Sequence, residues 1–208
     1  MIFVSQLLSA VLQVIVLTAV PFLWYLAVHR RATGFLRWIG LYRAGRFPAK
    51  CVLGISAGFL AVTALPYLWL YHTGSLTYSG FTVDAYRTYG WSPLTIGTIL
   101  VWAVVQTSLS EEIFFRGFLA KRLAHAFGKW PGFAVQGLIF GLIHLPAVWG
   151  RGLLPAVTVV GLTGSIGFAL AWLSQEKAEG SILYGWMIHA AVNIISPIAV
   201  FLFLPAAV

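Results

Sequence analysis

Long apolar runs separated by short polar segments set the pattern of this chain. A helix needs about 20 mostly apolar residues to cross the hydrocarbon of a bilayer. Six stretches are read as such spans: Ile2–Val28, Cys51–Tyr71, Leu94–Leu109 with a polar continuation to about Ala126, Gly132–Trp149, Leu153–Leu173 and Ile182–Leu204. They are apolar on all sides and do not alternate, which argues for helices over barrel strands. The expected fold is therefore all-α: a polytopic membrane helical bundle of about six transmembrane helices, forming one integral membrane domain over residues 1–208. Ile2–Val28 lacks a basic start and is too long for a signal peptide, so it is expected to be a retained span. Pro21 and Pro66 fall inside spans and are expected to kink them, which neighbouring helices in a membrane tolerate.

Composition strengthens the pattern. The chain is 60% apolar and 9% charged, against roughly 25% charged residues in soluble domains. A chain with so few charges cannot cover itself in water. The net charge of +8 raises nucleic acid as a partner, but the positions of the charges speak against it. Six of the 13 Lys and Arg lie between Arg30 and Lys50, and three more lie between Lys121 and Lys129. Both clusters sit beside apolar runs, where cytoplasmic loops carry their cations. The orientation that follows places these loops in the cytoplasm and the loop Thr73–Pro93 outside, with both termini outside. Trp24, Trp91, Trp130, Trp149 and Trp172 fall near span ends, as interfacial anchors do. Residues 29–50 also interleave Phe35, Leu36, Trp38, Ile39, Leu41 and Tyr42 with arginines, the mixture of a basic amphipathic cytoplasmic helix lying on anionic lipid. The plain alternative is an ordinary basic loop. The single Cys51 excludes an internal disulfide and any multi-cysteine metal site.

Ionisable groups inside spans are costly and mark function by default. Here they are Glu111, Glu112 and Arg116 on the extension of span three, His144 in span four, and His189 with Asn193 in span six. For straight helices rising 1.5 Å per residue, Glu111 lies roughly 22 Å, His144 roughly 18 Å, His189 roughly 10 Å and Asn193 roughly 16 Å from the cytoplasmic side. Three helices thus bring polar groups to overlapping depths. Glu112 and Arg116 form an i,i+4 pair, and His189 and Asn193 share a face. Glu111 points about 100° away from Glu112, so one carboxylate is free for chemistry while the other pairs with Arg116. A carboxylate and an imidazole at one depth can share a water and remove its proton. A second histidine and an amide can donate to an oxyanion. That set supports hydrolysis of an amide bond. Glu and His are also acceptable zinc ligands, but HExxH is absent and no His pair has metal spacing on one helix. Singly, a Glu–Arg pair is often structural glue and a buried His a satisfied core residue. His29, His72 and His125 are read as interfacial, and Asp84, Glu176 and Glu179 as solvated. Gly161, Gly164 and Gly167 are expected to permit close helix packing.

Three motifs occur in order: Glu111-Glu112-Ile-Phe-Phe-Arg116 (EExxxR), Phe140-Gly-Leu-Ile-His144 (FxxxH) and His189-Ala-Ala-Val-Asn193 (HxxxN). In them the chain resembles the CPBP family of intramembrane proteases, also called the CAAX protease and bacteriocin-processing, or Abi, family. The resemblance runs from Ser110 to Ser196, within a core expected over about 94–205. It implies an intramembrane endopeptidase in which Glu111 and His144 activate water, Glu112 and Arg116 support the site, and His189 and Asn193 form the oxyanion hole. It implies no resident cofactor, with zinc the alternative. The partners it implies are membrane lipid and a membrane-associated protein or peptide substrate. The shortness of the chain favours a bacterial member, in the plasma membrane, and puts prenyl-substrate recognition in doubt. The competing reading is a non-catalytic immunity or scaffold protein that binds a peptide or partner in the same polar cavity.

Overall fold

The computed structural model describes residues 2–75 and 89–203, without the side chains of 196, 197 and 199–203. Asp84 and most of the loop expected outside fall beyond the described residues. What is described is helical, with no strand among those residues. Helix α1 is Ile2–His29, α2 Phe35–Ile39 and α3 Ala49–His72. Helix α4 runs unbroken over Pro93–Phe127, α5 is Lys129–Leu142, α6 is Leu153–Lys177 and α7 is Leu183–Phe203.

Four of these, α1, α3, α4 and α6, are long and apolar enough to cross a membrane. The expected count of about six is not confirmed among the described residues. The largest departure is span four. Its 14-residue helix α5 stops at Leu142, and a short 3-10 turn follows at Leu145–Val148. Pro146 explains the break, because proline removes a backbone donor and disfavours helix at the residue before it. His144 thus sits on the turn beyond α5 instead of within a spanning helix.

The outer surface is that of a lipid-embedded body. Leu8, Leu12, Leu23, Leu53, Val62 and Leu65 are all largely exposed along α1 and α3, and no aqueous surface of a soluble domain carries such continuous apolar faces. Helix α4 is the most enclosed of the four spans. Helices α5 and α6 meet backbone to backbone. A Cβ on Gly137 would lie 2.7 Å from the Gly164 carbonyl oxygen, and one on Gly141 would lie 2.5 Å from that of Val160. Gly164 and Gly167 serve this contact as expected, whereas Gly161 faces open space.

Residues 30–46 fold against the protein. Helix α2 has only five residues, and its Phe35 and Ile39 join a core cluster with Tyr25, Ile113, Phe118 and Ile182. The segment is tied to α4 where Lys121 Nζ donates to the Trp38 carbonyl at 2.8 Å. It is tied to the entry of α7 where the Ile182 N–H donates to the Gly40 carbonyl at 2.9 Å. The apolar side chains expected to face lipid therefore partly close the end of the bundle, while Leu36 remains outside at 62% exposure.

Candidate active site

Helix α4 is wound unusually. It begins as an α-helix at Pro93–Leu100, capped by the Ser92 side chain, and is π-helical over Val101–Leu109 and Glu112–Leu119. A π-helix closes each hydrogen bond one residue later than an α-helix and occurs chiefly at functional sites. Its wider turn rotates successive residues by less than the 100° of an α-helix. Glu111 lies between the two π-helical stretches with α-helical backbone angles, φ −72° and ψ −39°, and Glu112 opens the second stretch. Both carboxylates reach the same histidine.

That histidine, His189 on α7, lies with Nδ1 3.1 Å from Glu112 Oε1 and Nε2 3.8 Å from Glu111 Oε2. Glu112 Oε1 is also 3.3 Å from Arg116 Nη1, with neither side chain exposed. This is a charge contact only, since among the described residues the guanidinium nitrogens find no hydrogen-bond acceptor. The guanidinium instead lies over the Phe140 ring, 4.1 Å from its centroid, where the negative face of the ring attracts a cation. Helix α7 approaches so closely that a Cβ on Gly185 would lie 2.7 Å from Glu112 Oε2.

Phe140 links the third motif element. Its ring meets the His189 ring edge-on at 5.9 Å and the His144 ring at 4.9 Å. His144 Nδ1 donates to the Phe140 carbonyl at 2.7 Å. A carbonyl only accepts, so Nδ1 carries a proton and Nε2 is the acceptor of the neutral ring. Glu111 and His189 are not sealed in: their side chains are 13% and 12% exposed. Asn193, one turn beyond His189, donates from Nδ2 to Thr107 Oγ1 at 2.9 Å and to Ser108 Oγ at 3.2 Å.

The six residues singled out in the sequence thus fall into three groups. Glu111, Glu112, Arg116 and His189 form one contact cluster. His144 joins it through Phe140. Asn193 is anchored one turn away along α4. Among the described residues, no three His, Cys, Asp or Glu side chains are placed to share a metal ion.

Several residues of the site were not foreseen. Besides Thr107 and Ser108, an amide chain runs from α1 into α4. Gln6 Nε2 donates to Gln106 Oε1. Gln106 Nε2 donates to Gln13 Oε1 at 3.1 Å, and Gln13 Nε2 donates to Ser110 Oγ at 3.2 Å. The signal was the polar run Gln106-Thr107-Ser108 inside an apolar span, together with Gln6 and Gln13 at seven-residue spacing in α1.

Long apolar helices around a cluster of two carboxylates, an arginine and a histidine define an integral, multi-pass membrane protein. Compared with known protein families, residues 90–195 match the type II CAAX prenyl endopeptidase Rce1-like family. The chain belongs to that family, which bears out the resemblance seen in the three motifs. No curated protein and no solved structure matches it.

Proposed function

We propose that the protein is an intramembrane endopeptidase that hydrolyses a peptide bond of a membrane-associated protein or peptide, with Glu111 as the base. The observation that carries the reading is the placement of His189 between two carboxylates, 3.1 Å from one and 3.8 Å from the other. A structural ion pair needs only Glu112 and Arg116. A second, partly exposed carboxylate beside them, 3.8 Å from the same histidine, is not needed for that pair.

Water would donate one hydrogen to Glu111 and the other to the Nε2 lone pair of His144. Glu111 takes the first proton as the water oxygen bonds to the substrate carbonyl carbon. The carbonyl oxygen becomes an oxyanion. His189 turns Nδ1 to Glu112 Oε1 at 3.1 Å, and its Nε2, on the Glu111 side, is the donor to the oxyanion. Glu111 then passes its proton to the leaving nitrogen as the carbon–nitrogen bond breaks. Overall, water adds its hydroxyl to the carbonyl carbon and its proton to the amine. No step is routed through a metal.

The Asn193 amide nitrogen lies 2.9 Å from Thr107 Oγ1 and 3.2 Å from Ser108 Oγ, one turn beyond His189, and in this scheme it joins His189 at the oxyanion, as the resemblance implies.

The family description makes a prenylated C-terminal peptide the first substrate to try. In liposomes, wild-type protein is expected to cleave a prenylated or membrane-inserted peptide, and Glu111→Gln is expected to leave it intact. Equal cleavage by both proteins would remove Glu111 from the chemistry.

A further inference from the structure

Helix α1 turns a stripe of small and polar side chains toward α4. Gln6, Ala10 and Gln13 recur at four and three residues, the spacing of one helical face. Gln6 is buried and Ala10 fully so, whereas Leu8 and Leu12 on the opposite face are largely exposed. Across from the stripe, α4 presents Gln106 and Ser110, one turn apart.

These glutamines and the serine form one hydrogen-bonded chain, and its direction is fixed at one end. The Ser110 hydroxyl donates to the Gln106 carbonyl, with the Thr107 carbonyl 3.3 Å away. Its oxygen therefore accepts from Gln13, whose Nε2 lies 3.2 Å away. That turns Gln13 Oε1 to Gln106 Nε2 at 3.1 Å, and Gln106 Oε1 to Gln6 Nε2. The serine thus settles which end of each amide is nitrogen and which is oxygen.

Gln13 spends both ends of its amide on α4, so one side chain spans the turn from Gln106 to Ser110. The place matters. Ser110 and Glu111 keep α-helical backbone angles between the π-helical stretches Val101–Leu109 and Glu112–Leu119. The direction in which Glu111 points depends on where one winding gives way to the other, and Gln13 grips the turn that ends one residue before it. Hydrocarbon offers no water to a released amide, so each broken link leaves an unpaired polar group. None of the four residues belongs to the three motifs, and α1 lies outside the matched residues 90–195.

We propose that Gln13 is a positioning residue: it clamps α4 at Gln106 and Ser110, with Gln6 bracing Gln106, and so fixes the angle at which Glu111 meets water and His189. This rests on the peptidase reading given above. It makes the first helix a working part of the site.

The test measures kcat, KM and melting temperature on purified protein in liposomes, with a prenylated C-terminal peptide as substrate. Gln13→Leu is expected to lower kcat by about 10- to 100-fold, the scale on which a misplaced group acts, with KM unchanged. Ser110→Ala, which removes the acceptor, is expected to match it, and the two combined to lose no more than either alone. Replacing all three glutamines by leucine leaves no amide unpaired, which recovers stability; its kcat is expected to stay as low as that of Gln13→Leu. Should Gln13→Leu fail to fold, the triple-leucine protein and Ser110→Ala decide. A triple-leucine protein with wild-type kcat, a loss carried by KM alone, or a Gln13→Leu protein as active as wild type would overturn the positioning role and leave the peptidase intact. A wild-type protein no more active than Glu111→Gln would instead sink the peptidase reading, and the positioning of its base with it.

Discussion

Glu112 and Arg116 meet at 3.3 Å with no exposure of either side chain, on a π-helical turn at the middle of the longest helix. The pair is the electrostatic floor of the site. Arg116 faces one of two adjacent carboxylates, and under the proposed function the other, Glu111, is the base.

Removing one member of a buried ion pair leaves a charge without compensation, at a cost of about 3–5 kcal/mol. Arg116→Ala is therefore expected to lower the melting temperature of the detergent-solubilised protein sharply and to abolish activity. Replacing both partners by apolar residues, Glu112→Leu with Arg116→Met, is expected to recover much of the stability without the activity. A single variant as stable as wild type would show that the pair is not buried as described.

Gly185 is where α7 touches the carboxylate. An added methyl group would meet Glu112 Oε2 at 2.7 Å, so Gly185→Ala must push Glu112 away from His189 or tilt α7. Overpacking of this kind costs about 1–3 kcal/mol. Activity is expected to fall by a larger factor than stability explains, because the displaced atom holds the histidine. Unchanged activity in a folded Gly185→Ala protein would contradict the contact.

Gly117 receives the segment that closes the bundle end. A Cβ there would lie 2.5 Å from the Ile39 carbonyl oxygen. Gly117→Ala is expected to loosen residues 30–46 from α4 and to speed proteolytic nicking after Arg37 or Arg43 by trypsin. A digestion pattern identical to wild type would show that the segment is not seated on α4.

The long spans were legible because hydrophobic length is a property of the sequence alone: Ile2–His29, Ala49–His72 and Leu153–Lys177 follow the predicted runs within a few residues. Span four was not, because apolar composition continues through Pro146 while the helix does not. The Glu112–Arg116 pair was legible from i,i+4 spacing, and it survives the π-helix. The division of the two carboxylates follows the same spacing: Glu112 lies beside Arg116, and His189 stands 3.1 Å from Glu112 and 3.8 Å from Glu111. No sequence pattern announces a π-helix, so the polar run at Thr107 and Ser108 could be seen in the sequence but its contacts with Asn193 could not. The basic segment 29–50 reads as lipid-facing from composition, but Gly117 and Ile182 offer its apolar side chains a protein surface.

The most direct test of the central claim compares newly formed peptide termini in membranes from cells expressing the wild type or Glu111→Gln at matched levels. Glu111→Gln keeps the shape and hydrogen-bonding of the side chain and removes the base. Termini that appear only with the wild type are the predicted result, and they would name the substrates as well. The same set of termini from both proteins, with Glu111→Gln folded and still binding its partners, would contradict a glutamate-driven hydrolysis and favour a binding role for the cavity.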